Sequence, residues 1–112
     1  KCQISVSGAS DLTISGEVAS AISDATIQAL TNSLQHAGSK AQRSVHLKGT
    51  RNGVKVVIKD NGIGFRPSRV PRHSLGLRLV IFKSIESIGG QVRIDSKPGN
   101  GAAVILEWDS AA

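Results

Sequence analysis

The chain has 112 residues, a formal net charge of +6 and a single cysteine. That length holds one modest core rather than two packed domains, and no apolar run approaches the roughly 18 residues of a membrane span. Lone Cys2 excludes an internal disulfide or a cysteine-based metal cage, and one Trp, two Phe and no Tyr leave little to stack on single-stranded nucleic acid, so the charge fits a nucleotide as well as any polyanion.

In chain order, residues 3–6 alternate and predict a short strand, and residues 8–16 are small and polar, as in a loop. Residues 17–36 contain no Gly or Pro, and Ile27, Leu30, Leu34 and Ala37 recur at helical spacing. They predict a long helix with those four as its apolar stripe, ended by Gly38-Ser39. Residues 44–50 and 54–59 are strand-like and joined by Arg51-Asn52-Gly53. Asn-Gly there predicts a hairpin with a type I′ turn, which needs positive φ at both central positions. Residues 60–74 (DNGIGFRPSRVPRHS) predict an irregular segment. A second helix follows over 76–88, with Leu77, Val80, Ile81, Ile85 and Ile88 on one side and Gly89-Gly90 stopping it. Strands over 91–96 and 103–108 flank a turn at 97–101. This order predicts an α+β fold, a two-layer sandwich with helices on one face of a mixed, mostly antiparallel sheet.

Four constellations can carry chemistry. Gln28, Asn32, Gln35 and His36 cluster within roughly 100° of helical arc. They read either as a solvated face or as one wall of a ligand site, with the Asn carbonyl a reasonable oxygen ligand for Mg²⁺. Asp60-Asn61-Gly62-Ile63-Gly64 follows a strand. It reads either as a plain turn or as a carboxylate that accepts from an exocyclic amine, with glycines that let backbone approach a flat ring. Ser74-Leu75-Gly76-Leu77 opens the second helix, where free N–H groups and the macrodipole favour phosphate, with Ser74 near the N-cap. Pro98-Gly99-Asn100-Gly101 reads as a hairpin turn. Neither G-x-x-x-x-G-K-[ST] nor G-x-G-x-x-G occurs. The three histidines are far apart and lack acidic neighbours at zinc spacing.

Taken in order, ALTNSLQHA (29–37), DNGIGF (60–65), HSLGL (73–77) and GGQVRIDSKPGNG (89–101) resemble the catalytic, ATP-binding domain of bacterial sensor histidine kinases, and most of all the nitrate-sensor-like subfamily. This is the Bergerat-fold group that includes gyrase and the mismatch-repair ATPases. The resemblance covers about residues 14–108, so the chain reads as one ATP-binding domain, 1–112. It implies ATP and Mg²⁺ as ligands. Asn32 would hold the metal, with Gln28 as a second ligand. Asp60 would bind the adenine amino group, with Gly62, Ile63 and Gly64 beside the base and Ala102 near it. Residues 65–74 would form a short lid, and Ser74, Leu75, Gly76 and Leu77 would meet the phosphates, Gly76 and Leu77 through backbone N–H groups. His36 would lie near ribose or phosphate.

Four departures from the family's usual wording weaken the site. Gln28 replaces a Glu, Gln35 a Lys, Ser74 a Gly and Ala102 a Thr. An amide at 28 cannot accept a proton near neutral pH, which matters less when the attacking group is an imidazole than when it is water. No His is followed by Asp or Glu, so the phosphoacceptor helix of the family is absent. The resemblance therefore implies phosphoryl transfer to a histidine on a separate dimerisation domain, in a two-component kinase with a cognate response regulator. The alternative is a degenerate, non-catalytic nucleotide-binding or interaction module. The Met-less start at Lys1 reads as a cut from a longer protein. The expected setting is cytoplasmic, at the inner end of a membrane-bound sensor, with the isolated domain monomeric and no nucleic-acid partner.

Overall fold

A computed structural model describes residues 2–8, 14–36, 41–50, 52–62, 72–96 and 101–110. Five strands and two helices alternate as β1 (Cys2–Gly8), α1 (Gly16–His36), β2 (Arg43–Gly49), β3 (Gly53–Asp60), α2 (Arg72–Glu86), β4 (Gln91–Ser96) and β5 (Ala102–Asp109). The sheet order is β1-β2-β3-β5-β4. Only the β1–β2 pair is parallel, because α1 carries the chain across between those strands; the other three pairs are antiparallel. The mixed, mostly antiparallel sheet is as the sequence predicts.

Both helices cover the same face. Val45, Val54, Val56, Ile58, Val104 and Leu106 point from the strands into a core shared with Val18, Ile22, Ala25 and Ala29 of α1 and Ile81 and Ile85 of α2. The two-residue period on β3 and β5 sends Lys55, Lys59 and Glu107 to the other, open face.

α1 begins at Ser15, whose hydroxyl accepts from Val18 N–H at 3.2 Å, an N-cap bond. Its buried stripe corrects the predicted one. Ile27 and Leu34 are 55% and 66% exposed, while Ala25 and Ala29 are almost fully buried. At 100° per residue Ile27 and Leu34 lie on the far side of the helix from those alanines. Small side chains bring α1 close to its neighbours, so the stripe that matters is 18-22-25-29-33, and large apolar residues are left outside. On α2, Ile81 and Ile85 are fully buried as predicted, but Val80 is 43% exposed.

Two local expectations also change. The β2–β3 hairpin forms, but among the described residues positive φ occurs only at Gly89 and Gly101, so Asn52-Gly53 does not make a type I′ turn. Instead Thr50 N–H donates to Gly53 O at 2.9 Å, and Ser110 N–H donates to Asn52 O at 2.8 Å, tying the hairpin to the end of β5. The second helix starts at Arg72, four residues earlier than predicted. Pro71 stands immediately before it in the sequence, and a proline at a helix start loses no helical hydrogen bond. The helix ends as expected, with Gly89 at φ 80 and Gly90 N–H donating to Ile85 O at 2.9 Å.

Candidate functional site

Asp60 ends β3, and its position in the ladders decides its surroundings. The register places it between Arg43 of β2 and Ala102 of β5, with all three on the helix-covered face. Asp60 is 8% exposed, and its carboxylate is held by three donors. Oδ1 accepts from Gly62 N–H at 3.0 Å and from Ala102 N–H at 3.2 Å. Oδ2 accepts from the Ser33 hydroxyl at 2.8 Å. Ser33 is the last member of the buried α1 stripe, so helix packing itself delivers that hydroxyl to the strand end.

Arg43 completes the cluster from behind. Its Nε donates to Ser33 Oγ at 2.9 Å, and its two terminal nitrogens donate to Ala41 O and Ser33 O, each at 3.1 Å. Ser33, Arg43 and Asp60 are the buried polar or charged residues among those described. A buried charge is tolerated when it is paired and hydrogen-bonded, and here both carboxylate oxygens and all three guanidinium nitrogens have a partner. Gly101 adds a close backbone approach. Its φ is +78, and a Cβ at this position would collide with Asp60 O. Only glycine joins that conformation to that approach.

Asn32 is the neighbour of Ser33 and is in the opposite state. Its Oδ1 is buried and has no hydrogen-bond partner among the described residues. An unsatisfied buried acceptor costs about 1–3 kcal/mol, and native structures hold few of them without a functional reason. Gln28 lies one turn earlier on the same side of α1 and is half-buried. A buried carbonyl oxygen with no donor, beside an amide that offers another, is a donor set suited to a hard cation. The residues present therefore fit Mg²⁺.

The structure thus brings Asp60, Gly62 and Ala102 into direct contact and places Asn32 and Gln28 on the adjoining helix. His36 closes α1, but its side chain and that of Gln35 lie outside the described residues, as do Ile63, Gly64 and residues 65–71 of the lid expected at 65–74, whose last three residues instead open α2. Ser74 and Leu75 fall in the first turn of α2 rather than at a cap, and Gly76 and Leu77 fall a turn inside it. Within a helix the N–H groups at those last two positions meet carbonyls four residues back, which corrects the expectation that they stand free. The free N–H groups of α2 belong to its earliest residues. Asn61 acts as a latch: Gln42 N–H donates to its Oδ1 at 2.7 Å, and Asn61 N–H donates to Gln42 O at 3.2 Å.

A cavity of about 240 Å³ opens beside this latch, lined by Gln3, Ser44 and Lys59 of the open sheet face as well as Arg43 and Asp60. It shares Arg43 and Asp60 with the cluster above, but Gln28, Asn32, Gly62 and Ala102 do not line it. The sequence reading missed Ser33 and Arg43. Their signal was a serine continuing the small-residue stripe of α1 and an arginine whose strand register faces Asp60.

The family model for histidine kinase-, DNA gyrase B- and HSP90-like ATPases matches residues 17–112. Among solved structures, the histidine kinase domain of the blue-light activated histidine kinase of Erythrobacter litoralis superposes with a TM-score of 0.75 at 20% identity, covering 98% of this chain and 52% of that one. The catalytic domain of the histidine kinase ThkA gives a TM-score of 0.73 at 17% identity, covering 96% of this chain and 78% of that one. A mycobacterial sensor histidine kinase, MprB, gives 0.71 at 19%, covering 96% and 81%. The chain spans about half the length of the first of these structures. At such identities the likeness is one of fold. No curated protein matches the chain in sequence.

Proposed function

This chain belongs to the family of histidine kinase-, DNA gyrase B- and HSP90-like ATPases, and on that premise we propose that it binds Mg-ATP and passes the γ-phosphoryl group to a histidine on a separate dimerisation domain. The observation that carries the reading is the pairing of an Asp60 held by three donors with a buried, unpartnered Asn32 Oδ1 on adjoining elements. Asp60 accepts from the adenine amino group. Gly62 lets the backbone pass close to the base, and Ala102 offers no side-chain hydroxyl there. Asn32 and Gln28 would hold Mg²⁺, which would neutralise phosphate charge there. The nucleophile is the acceptor imidazole: its N–P bond forms as the bond from the γ-phosphorus to the β,γ-bridging oxygen breaks, and ADP leaves with that electron pair. Catalysis of this kind is positioning and electrostatics rather than proton abstraction, so a neutral amide at position 28 is compatible with it. The likeness to the nitrate-sensor-like subfamily rests on the sequence motifs alone.

The test is to combine the chain with Mg-ATP and a dimerisation domain carrying the acceptor histidine, and to look for acid-labile phosphate on that domain. Transfer supports the reading, and absence of ATP binding at millimolar nucleotide contradicts it. A second reading is favoured by Gln28 and Gln35, which stand where the family keeps Glu and Lys: a nucleotide-binding module without phosphotransfer. Binding without transfer, with transfer gained in the Gln28→Glu/Gln35→Lys double variant, supports that alternative.

A further inference from the structure

Arg43 is not one of the residues that the family motifs single out, yet it sits two hydrogen bonds behind the base-recognising carboxylate. The chain of bonds has a fixed direction. An arginine side chain only donates, so Arg43 Nε–H must give its proton to Ser33 Oγ at 2.9 Å. Its oxygen thus occupied as an acceptor, the Ser33 hydroxyl turns its own hydrogen to Asp60 Oδ2 at 2.8 Å. A carboxylate offers about four lone-pair sites. Gly62 N–H and Ala102 N–H take the two on Oδ1, and Ser33 takes one on Oδ2. One acceptor site remains, on Oδ2, and the fixed hydroxyl cannot rotate to offer a donor in its place.

We infer that Arg43 is a positioning residue that acts through Ser33 to fix the orientation of the Asp60 carboxylate and aim its single open lone pair at one place, so that the site takes a purine bearing an exocyclic amine and rejects one bearing a carbonyl at the same place. This rests on the reading of Asp60 as the group that meets the base. A carbonyl set against that lone pair leaves two acceptors facing each other, and a buried polar group left unpaired is what makes such sites discriminate strongly. Without Arg43 the hydroxyl is free to turn. Oδ2 then loses its fixed donor, and the open lone pair is no longer aimed at one place.

The experiment measures ADP and GDP affinities calorimetrically on the 112-residue chain and on Ser33→Ala, Ser33→Thr, Arg43→Met and Asp60→Asn. The wild type is expected to favour ADP by on the order of 100-fold. Ser33→Ala and Arg43→Met each lower that ratio about 10-fold, the equivalent of one charge-assisted hydrogen bond, whereas Ser33→Thr retains the hydroxyl and the ratio. A merely structural role would weaken both nucleotides alike and leave the ratio unmoved. If Arg43→Met fails to fold, the serine pair decides. Loss of ADP binding in Asp60→Asn with an unchanged ratio in Ser33→Ala overturns the positioning role and leaves the base-recognition reading standing. Unchanged ADP affinity in Asp60→Asn overturns both.

Discussion

Two neighbouring residues of α1, Asn32 and Ser33, end up in opposite states. Ser33 accepts from Arg43 and donates to Asp60, and the carboxylate it serves is bonded on both oxygens by the protein itself. Asn32, one position earlier, keeps a buried oxygen with no partner among the described residues. On the proposed reading, the end that would meet the base is therefore largely set on folding, while the buried Asn32 oxygen that would meet the metal stays without a protein partner among the described residues, at a cost in stability. The contrast follows from position: Ser33 continues the stripe that packs on the sheet, and Asn32 is turned about 100° from it.

The largest effect expected from breaking this contrast is at the end that would meet the base. Asp60→Asn removes the acceptor from the base and sets an amide against donors that now bond a carboxylate. Nucleotide affinity should drop more than about 100-fold and stability by about 3 kcal/mol, as when one partner of a buried charged network is removed; titration calorimetry and urea unfolding read the two. Asn32→Leu should have the reverse profile. It removes an unsatisfied buried acceptor and adds a better helix former, so the chain gains about 1 kcal/mol in stability, while ATP affinity in the presence of Mg²⁺ falls about 10- to 100-fold. Gly101→Ala is expected to cost about 1–3 kcal/mol, because it strains a left-handed residue and drives a methyl into Asp60 O. It should also weaken nucleotide binding several-fold, since it pushes on the strand end that carries Asp60. The smallest effect serves as a control. Trp108→Phe loses the indole donor to Ile88 O at 2.9 Å, about 1 kcal/mol, and leaves nucleotide affinity as it was because Trp108 lies at the other end of β5.

Much of the fold and part of the site were legible in the sequence. Strand alternation, the Gly89-Gly90 stop and the hairpin at Asn52-Gly53 gave the element order and the mixed sheet. The motif residues Asp60, Gly62 and Ala102 do meet, and Asn32 and Gln28 do share a helix side. What was not legible is what depends on tertiary packing. The core stripe of α1 runs through Ala25 and Ala29, which score weakly as hydrophobic residues, so Ile27 and Leu34 drew attention although they face away. The early start of α2 was hidden by a glycine-, proline- and arginine-rich stretch that local propensity reads as loop. Arg43 and Ser33 belong to no motif. Their roles come from strand register and helix phase, which bring residues 33, 43 and 60 together only in the folded chain.

The measurement that bears most directly on the two-ended site is the ratio of ATP affinities with and without Mg²⁺, taken on the wild type and on Asn32→Leu. A large Mg²⁺ enhancement is expected in the wild type and a ratio near one in Asn32→Leu, with the metal-free affinities of the two proteins alike. An enhancement that survives intact in Asn32→Leu would contradict the two-ended site.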